Sequence, residues 1–414
     1  MTTIIGAGLA GLSVADGLIR AGYPGHQIRI IEKYDYLGGR VVSGKRPDGS
    51  RYEIGAGRIH VSHTRILRLI RRFGLAHKLH PIDDTVFWKQ AGEPGDSLQP
   101  NPFSAIWKAY HSIFQTLPAH VLRNTTLQQL ATKMLGPHHA KHLFVMHPYR
   151  SEIEVLRADL ALESDIFRSS GYLTLEGGLH QIVHCLAEEL RHKGVTFQLK
   201  TPVTNLRRVG NKYRIETTGP NDVSDADRVI VALHVSALRK LPIFRTCKLL
   251  RHVQMEPLTR IYAQMDWPWP FPRFVTDSPL RYCIPINPKT GLVMISYTDA
   301  RDTKAWKGLS GRALETAVMT ELQRLFHSET KVKAKTNPSW IHSYEWTDGC
   351  SYWLPGNYDP REVSQNMLCP LPAHKELYVC GESFSMKQAW IEGALEHAAE
   401  LMSLLRTNGV YPAA

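Results

Sequence analysis

The stretch that decides the fold is Thr2-Thr3-Ile4-Ile5-Gly6-Ala7-Gly8-Leu9-Ala10-Gly11, close to the start of the 414-residue chain. Its first four residues are apolar or β-branched, and they predict a short buried strand. Apolar residues then recur at helical spacing and stop at a Gly-Tyr-Pro-Gly sequence, residues 22–25. The predicted order is therefore strand, glycine turn and helix.

A second apolar run, Gln27 to Ile31, predicts another strand that ends on Glu32. This acid lies 21 residues after Gly11, which is the spacing of a dinucleotide-binding βαβ unit. Gly6 permits the tight turn, Gly8 lets the backbone approach a pyrophosphate at the helix N-terminus, and Gly11 lets the helix pack on the strand. Glu32 would accept hydrogen bonds from a ribose. Two neighbouring residues complete the predicted cofactor contacts, Ala10 and Lys33.

A second glycine pair, Gly38-Gly39-Arg40, follows the acid closely and favours a flavin over a nicotinamide. It would place two flexible backbone positions and one cation against the same phosphates, although a surface arginine beside a turn is the alternative. The element resembles the Gly-Gly and arginine motif of the FAD-dependent amine oxidase superfamily, which includes monoamine, polyamine and L-amino-acid oxidases. The resemblance implies FAD, and we expect it to be bound non-covalently.

The C-terminal region carries the same resemblance. A predicted strand ends in Gly381-Glu382, and Gln388-Ala389-Trp390-Ile391-Glu392-Gly393 precedes a helix that extends to Leu405. In the family this strand returns to the FAD sheet, and the helix N-terminus faces the flavin. The resemblance implies that Gly381 and Glu382 contact the ribityl or pyrophosphate region, that Trp390 faces the substrate, and that Ile391 lies by the flavin ring.

The middle of the chain has the family's order of elements, a helix from His180 to Lys193 and then several strands. By resemblance, backbone groups of Val203 hold the adenine. We therefore predict an α/β fold in which a Rossmann-like FAD-binding domain is interleaved with an α+β substrate-binding domain. The first comprises residues 1–60, 171–240 and 366–407, and the second comprises residues 61–170 and 241–365.

The segment from Tyr52 to His60 resembles the family strand that brings the chain beneath the flavin, and Gly57 is expected to contact the cofactor. Polyamine oxidases usually have a tryptophan at the position of Arg58, whereas L-amino-acid oxidases have an arginine. The Ile-His that follows matches the polyamine oxidases instead. A guanidinium grips a carboxylate with two hydrogen bonds and repels a cationic polyamine. Arg58 is thus the predicted carboxylate anchor, and pairing with FAD or a local acid is the alternative.

Aromatic residues predict a substrate cage. The segment from Trp346 to Gly356 resembles one wall of the cage, so Tyr352 or Trp353 is predicted to pair with Trp390; core packing is the alternative for each. His60 or His63 would take the ammonium proton or only pack locally. Within the same segment, Cys350 aligns loosely with the cysteine that carries a covalent flavin in monoamine oxidases, but a buried free cysteine is the commoner outcome.

One position departs from the family pattern. Many members have a lysine that holds a water at flavin N5 and assists reoxidation, and the corresponding residue here is Arg260. Arginine stays protonated and has a different reach. A slow oxidase, a dehydrogenase and a flavoprotein that has lost turnover therefore all stay open.

Composition excludes several other classes. The 50 Lys and Arg residues exceed the 38 Asp and Glu residues, but they are scattered, so specific nucleic-acid binding is not expected. The six cysteines are widely separated and predict neither a metal site nor a disulfide framework. There is no signal-peptide pattern and no long apolar run, so we expect a soluble, cytoplasmic protein without a membrane span.

Taken with the resemblance, these features predict an oxidoreductase that oxidises the CH–NH2 group of an α-amino acid. Hydride would pass to flavin N5, the imine would leave, and oxygen would reoxidise the flavin and form hydrogen peroxide. An amine or polyamine substrate is the main alternative, and a non-redox mutase with reduced flavin is less favoured. The expected partners are a small-molecule amino acid or amine and oxygen or another electron acceptor; a homodimer is left open.

Overall fold

The computed structural model describes residues 1–46, 48–93, 95–164, 170–218, 223–327, 332 and 337–410. In these ranges the strands are β1 (Thr2–Ile5), β2 (Ile28–Ile31), β3 (Ser43–Lys45), β4 (Arg51–Glu53), β5 (Ile59–His60), β6 (Leu79–Pro81), β7 (Phe87–Lys89), β8 (Gln99–Pro100), β9 (Tyr172–Leu175), β10 (Thr196–Gln198), β11 (Val203–Val209), β12 (Lys212–Thr217), β13 (Val223–Ala226), β14 (Arg228–Val231), β15 (Val253–Gln264), β16 (Phe274–Thr276), β17 (Tyr282–Asn287), β18 (Leu292–Asp299), β19 (Trp340–Trp353) and β20 (Leu377–Val379).

The α-helices of the same ranges are α1 (Leu9–Arg20), α2 (Thr64–Arg72), α3 (Phe103–Gln115), α4 (Ala119–Arg123), α5 (Leu127–Val145), α6 (Ser151–Glu154), α7 (Ala158–Leu162), α8 (His180–His192), α9 (Val235–Lys240), α10 (Gly311–Leu325), α11 (Pro360–Leu368) and α12 (Ile391–Thr407). None of them combines the length and the apolar composition that crossing a membrane requires.

The chain divides into two compact units. The first comprises Met1–Ile82, Gly171–Gln254 and Tyr358–Ala414, and the second comprises Asp83–Ser170 and Met255–Asn357. The boundaries differ from those predicted, because residues 61–82, 241–254 and 358–365 belong to the first unit. The physical reason is clearest for α2, whose apolar face packs into the core of the first unit. The roles assigned to the two domains, FAD binding and substrate binding, stay predictions.

A parallel sheet of five strands forms the centre of the first unit, in the order β10-β2-β1-β14-β20. All four residues of β1 are buried, as expected for a central strand with both faces covered. Helix α1 packs against α8 and α12, and their apolar faces join the same core. This arrangement matches the predicted α/β class, and it brings the N-terminal βαβ unit together with the C-terminal strand and helix.

Smaller antiparallel sheets surround this centre in the first unit. Strands β3 and β4 form a two-stranded sheet, β5-β9-β6 form a second, and β11-β12-β13 form a third. In the β5-β9-β6 sheet His60 lies opposite Tyr172, so the segment that contains Arg58 is held beside β9.

The second unit is built on a mixed sheet of seven strands, in the order β19-β15-β18-β17-β16-β7-β8. Strands β15, β18, β17 and β16 run antiparallel in succession, and β16 pairs with β7 in parallel. Residues from β15 and β18 form its core together with one face of α10 and several large aromatic side chains, Trp267, Trp269, Phe271 and Trp306.

Candidate cofactor and substrate site

Two glycine turns of the first unit lie against each other. The Gly38 N–H donates to the Ala7 carbonyl oxygen at 2.8 Å, and Gly8 and Gly38 form an isolated parallel β-bridge. A Cβ added to Gly39 would lie 3.6 Å from the Gly8 Cα. The two motifs that the sequence shows separately therefore form one surface at the N-terminus of α1.

The glycines of the first turn meet different structural requirements. Gly6 has a φ of +104°, and a Cβ there would lie 2.5 Å from the Ala232 carbonyl oxygen. A Cβ at Gly11 would overlap the Gly6 carbonyl oxygen. At Gly8, in contrast, a Cβ would have no neighbouring heavy atom within 4 Å. Gly8 thus keeps space open at a helix N-terminus, which fits the pyrophosphate of a dinucleotide; Ala10 is buried in the first turn of the same helix.

The carboxylate of Glu32 holds the end of β2 beside the first glycine turn. It accepts the Ala7 N–H at 2.8 Å through Oε2 and the Tyr34 N–H at 3.0 Å through Oε1. A carboxylate offers about four lone-pair positions. Each oxygen therefore keeps capacity for a ribose hydroxyl, so the position fits the predicted role.

Two further predicted cofactor residues lie near Glu32 along the backbone. The Thr201 N–H donates to the Glu32 carbonyl oxygen at 2.9 Å, two residues before Val203 begins β11. Lys33 is exposed, and its Nζ lies 4.4 Å from the centroid of the Tyr34 ring. The contacts of Val203 and Lys33 with adenine or ribose stay predictions.

Arg40 and Glu382, predicted separately as cofactor residues, form an ion pair. Arg40 Nη2 lies 2.6 Å from Glu382 Oε2, and the other carboxylate oxygen accepts the Ala389 N–H at 2.6 Å. Ala389 has a φ of +65°, a conformation that non-glycine residues rarely adopt, and Trp390 follows it. Glu382 therefore connects the Arg40 side chain to the turn that orients Trp390.

The same turn is fixed at its start and at its end. The Gly381 N–H donates to Nδ1 of the buried His397 at 3.1 Å. Ile391 is buried and begins α12 directly after Trp390. The predicted FAD contacts of Gly381 and Ile391 stay predictions, and so does that of Gly57, which precedes Arg58.

Arg58 lies over two aromatic rings. Its Cζ is 4.3 Å from the centroid of the Tyr172 ring and 5.6 Å from that of Trp390. The two rings are stacked, with centroids 6.1 Å apart and planes inclined by 10°. A guanidinium carries its N–H donors in its own plane. Contact with the two rings therefore fixes the position of the Arg58 guanidinium beside Tyr172 and Trp390.

His60 and His63 border this aromatic group. Both are buried, and their rings make edge contacts, His60 with Tyr172 at 5.3 Å and His63 with Trp390 at 4.9 Å. His60 Nδ1 lies 2.7 Å from the Ser62 hydroxyl, and His63 Nδ1 accepts the His60 N–H at 3.1 Å. Local packing is thus part of their role, and proton transfer stays a prediction.

Sequence reasoning missed two residues of this group. The sequence did not single out Tyr172, and the register of β5 and β9 brings it to the segment that contains Arg58. Glu392 is buried and accepts the N–H groups of Arg65 at 2.8 Å and Ile66 at 3.0 Å. It therefore caps α2 from the start of α12. A sequence with an acid in the first turn of a predicted helix suggests that the acid stabilises the start of that helix. It does not reveal that Glu392 instead caps a helix far away in the sequence.

Arg260 is buried in the second unit among tyrosines. Its Nη2 lies 3.4 Å from the Tyr297 hydroxyl, and its Cζ lies 4.7 Å from the centroid of that ring. Tyr149 makes an edge contact with Tyr297 at 5.3 Å. Arg260 is thus a fixed cation in a largely aromatic environment.

Tyr352 and Trp353 are also buried in the second unit, at the end of β19. The Tyr352 hydroxyl donates to Glu152 Oε1 at 3.0 Å, and burial raises the pKa of Tyr352 well above its ordinary value. The Trp353 carbonyl accepts the Arg157 N–H at 3.0 Å. Both residues have a clear packing role, and the pairing of either with Trp390 stays a prediction; Cys350 is partly buried on the same strand.

A family model for flavin containing amine oxidoreductases matches residues 9–401. The chain belongs to this family. Its cofactor is accordingly FAD, and the two glycine turns, Glu32 and the Arg40–Glu382 pair are the described residues that fit it. Family membership also makes the protein a flavin-dependent oxidoreductase.

The relatives of this chain are named for different reactions. A 15-cis-phytoene desaturase from an Oncidium hybrid cultivar is 32% identical over 111 residues, which is 25% of this chain and 19% of the desaturase. The chain therefore aligns with about a fifth of that relative's length. The flavin-dependent L-tryptophan oxidase RebO of Lentzea aerocolonigenes is 23% identical over 474 residues, which covers 96% of each chain.

Solved structures support the fold. An engineered variant of putrescine oxidase has a TM-score of 0.76 and 16% sequence identity, with 98% of each chain covered. At this identity the likeness establishes the architecture and leaves the substrate open.

Proposed function

We propose that the protein is an FAD-dependent oxidase of an α-amino acid. It oxidises the CH–NH2 group to an imine, which hydrolyses in water. The observation that carries the proposal is the Arg58 guanidinium held over Tyr172 and Trp390, next to the turns that fit FAD. The full-length similarity to an L-tryptophan oxidase agrees with it.

In this proposal Arg58 binds the substrate carboxylate through two parallel hydrogen bonds. Trp390 and Tyr172 form an apolar wall that orients the Cα–H bond and excludes water. Bound FAD supplies the redox chemistry by accepting hydride from Cα. The protein's own contribution is to bind, orient and desolvate the substrate.

The substrate amine must lose its ammonium proton before hydride transfer. His60 and His63 are titratable side chains whose rings contact this aromatic group, His60 at Tyr172 and His63 at Trp390. The Nδ1 atom of each is occupied by a local hydrogen bond. Because Nδ1 accepts a backbone N–H in both residues, each neutral ring carries its own proton on Nε2, and Nδ1 must give up that hydrogen bond to receive the ammonium proton.

Reoxidation by oxygen, with release of hydrogen peroxide, completes the proposed cycle. We expect it to be slow, because Arg260 stays protonated where the family's lysine carries a proton. Its burial beside Tyr297 also fixes the guanidinium in place. A cytoplasmic location and a small-molecule substrate belong to the same proposal.

Variants of Arg58 test the proposed carboxylate contact. In anaerobic stopped-flow mixing, the FAD absorbance band reports the apparent Kd of the amino acid and the limiting rate of reduction. Arg58→Gln removes two charge-assisted hydrogen bonds, each contributing about 1.5–3 kcal/mol, so the Kd should rise about 100-fold or more. Arg58→Lys keeps the charge and should recover part of this loss.

Arg324→Gln is the matched control, because Arg324 is exposed on α10 and pairs only with a neighbouring glutamate on the same helix. It should leave both the Kd and the rate of reduction unchanged. An unchanged Kd in Arg58→Gln would overturn the carboxylate contact. Loss of FAD from that variant would assign Arg58 to the cofactor instead.

An amine or polyamine substrate is the second candidate. The Ile59-His60 sequence favours it, because an Ile-His follows the corresponding position in polyamine oxidases. Reduction of the flavin by spermine or a monoamine, but by no amino acid, would establish this candidate.

A further inference from the structure

A cavity of about 370 Å³ lies in the second unit, and the residues that line it all have polar or charged side chains. It is lined by three cations, Lys141, Arg150 and Arg301, and by one acid, Glu154. Side chains from the start of α5 complete the wall. None of these residues belongs to the candidate cofactor and substrate site, so the cavity needs an explanation of its own.

Arg150 is the central group of this cavity. The residue is only 9% exposed, and its Nε donates to Asp302 Oδ2 at 2.9 Å. Its Nη1 lies 3.9 Å from Glu154 Oε1, which is beyond hydrogen-bond distance. Among the described residues, the Nη1 and Nη2 groups have no hydrogen-bond acceptor. The Arg150 side chain, which is 11% exposed, therefore keeps its Nη1 and Nη2 donors for a ligand.

Positive charge exceeds negative charge around the cavity. Arg301 Nη2 lies 2.8 Å from Glu154 Oε1 and neutralises the one acid of the lining. Burial raises the pKa of Glu154, which further weakens the negative charge. Lys141 is exposed and forms no ion pair within the described part of the chain. Arg150 shares the Asp302 carboxylate with Arg281, so that one acid balances only one of the two arginines, and Lys141 adds a further cation.

The start of α5 adds to this potential. Thr126 is its N-cap and forms a capping box with Gln129, and both residues line the cavity. A helix N-terminus carries partial positive charge and favours an anion nearby. The helix dipole and the two cations therefore favour the same kind of ligand.

We propose that this cavity binds a small oxyanion, a phosphate or a carboxylate, with Arg150 as the anchor and Lys141 as the second cation. The planar Nη1 and Nη2 fork of an arginine matches two oxygens of either group. The cavity volume accommodates inorganic phosphate or a small dicarboxylate. The site lies outside the oxidation chemistry, so its occupancy does not depend on the substrate of the flavin.

The test uses holoprotein saturated with FAD, so that phosphate does not compete for the cofactor site. Inorganic phosphate, succinate and chloride are titrated separately at constant ionic strength, and binding is followed by calorimetry and by the unfolding temperature. We expect saturable binding of phosphate or succinate and none of chloride. The tighter of the two identifies the oxyanion class.

Lys141→Gln is the principal variant, because Lys141 is exposed and the fold does not depend on it. It should weaken binding about tenfold, while Arg312→Gln, which removes an exposed charge of α10 outside the cavity, should leave binding unchanged. Arg150→Gln should abolish binding, and its circular dichroism shows whether the fold is kept. The proposal is overturned if neither oxyanion binds, or if Lys141→Gln and Arg312→Gln have equal effects.

Discussion

The Gly8→Ala variant separates cofactor binding from folding at the first glycine turn. A Cβ at Gly8 would meet no protein atom within 4 Å, and the residue has a φ of −70°, which alanine adopts freely. The remaining stability effect is the weaker N-cap preference of alanine, which costs less than about 1 kcal/mol. The added methyl occupies space that we assign to the pyrophosphate. Overpacking of this kind costs about 1–3 kcal/mol, so the Kd of FAD should rise about 5- to 150-fold.

Gly11→Ala should instead lower the stability of the fold itself. Its Cβ would overlap the Gly6 carbonyl oxygen and crowd Ile4 and Ala232 at 3.2 Å. We expect a loss of more than about 3 kcal/mol in the free energy of unfolding, and a corresponding loss of folded protein. Urea unfolding of the deflavinated proteins measures stability, and fluorescence titration with FAD measures affinity. The assignment of the space beside Gly8 to the pyrophosphate would be refuted if Gly8→Ala bound FAD as tightly as the wild type. It would also be refuted if Gly8→Ala lost as much stability as Gly11→Ala.

Two further predictions concern groups that hold the site in place. Glu392→Gln removes one of the two carboxylate acceptors that cap α2 and should lower the free energy of unfolding by about 1–3 kcal/mol in urea. Glu396→Gln, one turn along the same helix, should cost less than about 0.5 kcal/mol, and equal losses would contradict the capping role. Burial lowers the pKa of His397 from 6.5 to about 4, so the unfolded chain binds more protons between these values. This histidine's contribution to stability is present above pH 6.5 and is lost as the pH falls toward 4. Urea titrations at several pH values should show a smaller loss of stability over that window in His397→Gln than in the wild type. Some loss should persist in the variant, because burial, together with the charge of Arg51, also lowers the pKa of His180 to about 4. An identical loss in both proteins would contradict the prediction.

The cofactor turns were predictable because their geometry depends on residues that are adjacent in the sequence. A strand, a turn with Gly6 and Gly8, and a helix can be recognised within a dozen positions, and the acid at Glu32 follows at a fixed distance. Gly38 and Arg40 required a family resemblance in addition, because a glycine pair alone does not specify what it faces.

Contacts between distant segments were not predictable. Arg40 and Glu382 are 342 positions apart, and nothing in either segment indicates that their side chains pair. Tyr172 was missed for the same reason, because only the register of two strands places it at Arg58. The first compact unit extends beyond the predicted boundary at residue 60, because the amphipathic pattern of α2 shows that one face is buried but not which core buries it.

The central claim is that this flavoprotein oxidises an α-amino acid held by Arg58. Anaerobic incubation of the yellow holoprotein with a panel of L-amino acids, monoamines and polyamines tests it most directly, with the FAD absorbance band as the readout. We expect at least one L-amino acid to bleach the band, and slow recovery when air is admitted. If only amines bleach it, or if every amino acid leaves the flavin oxidised, the claim is contradicted.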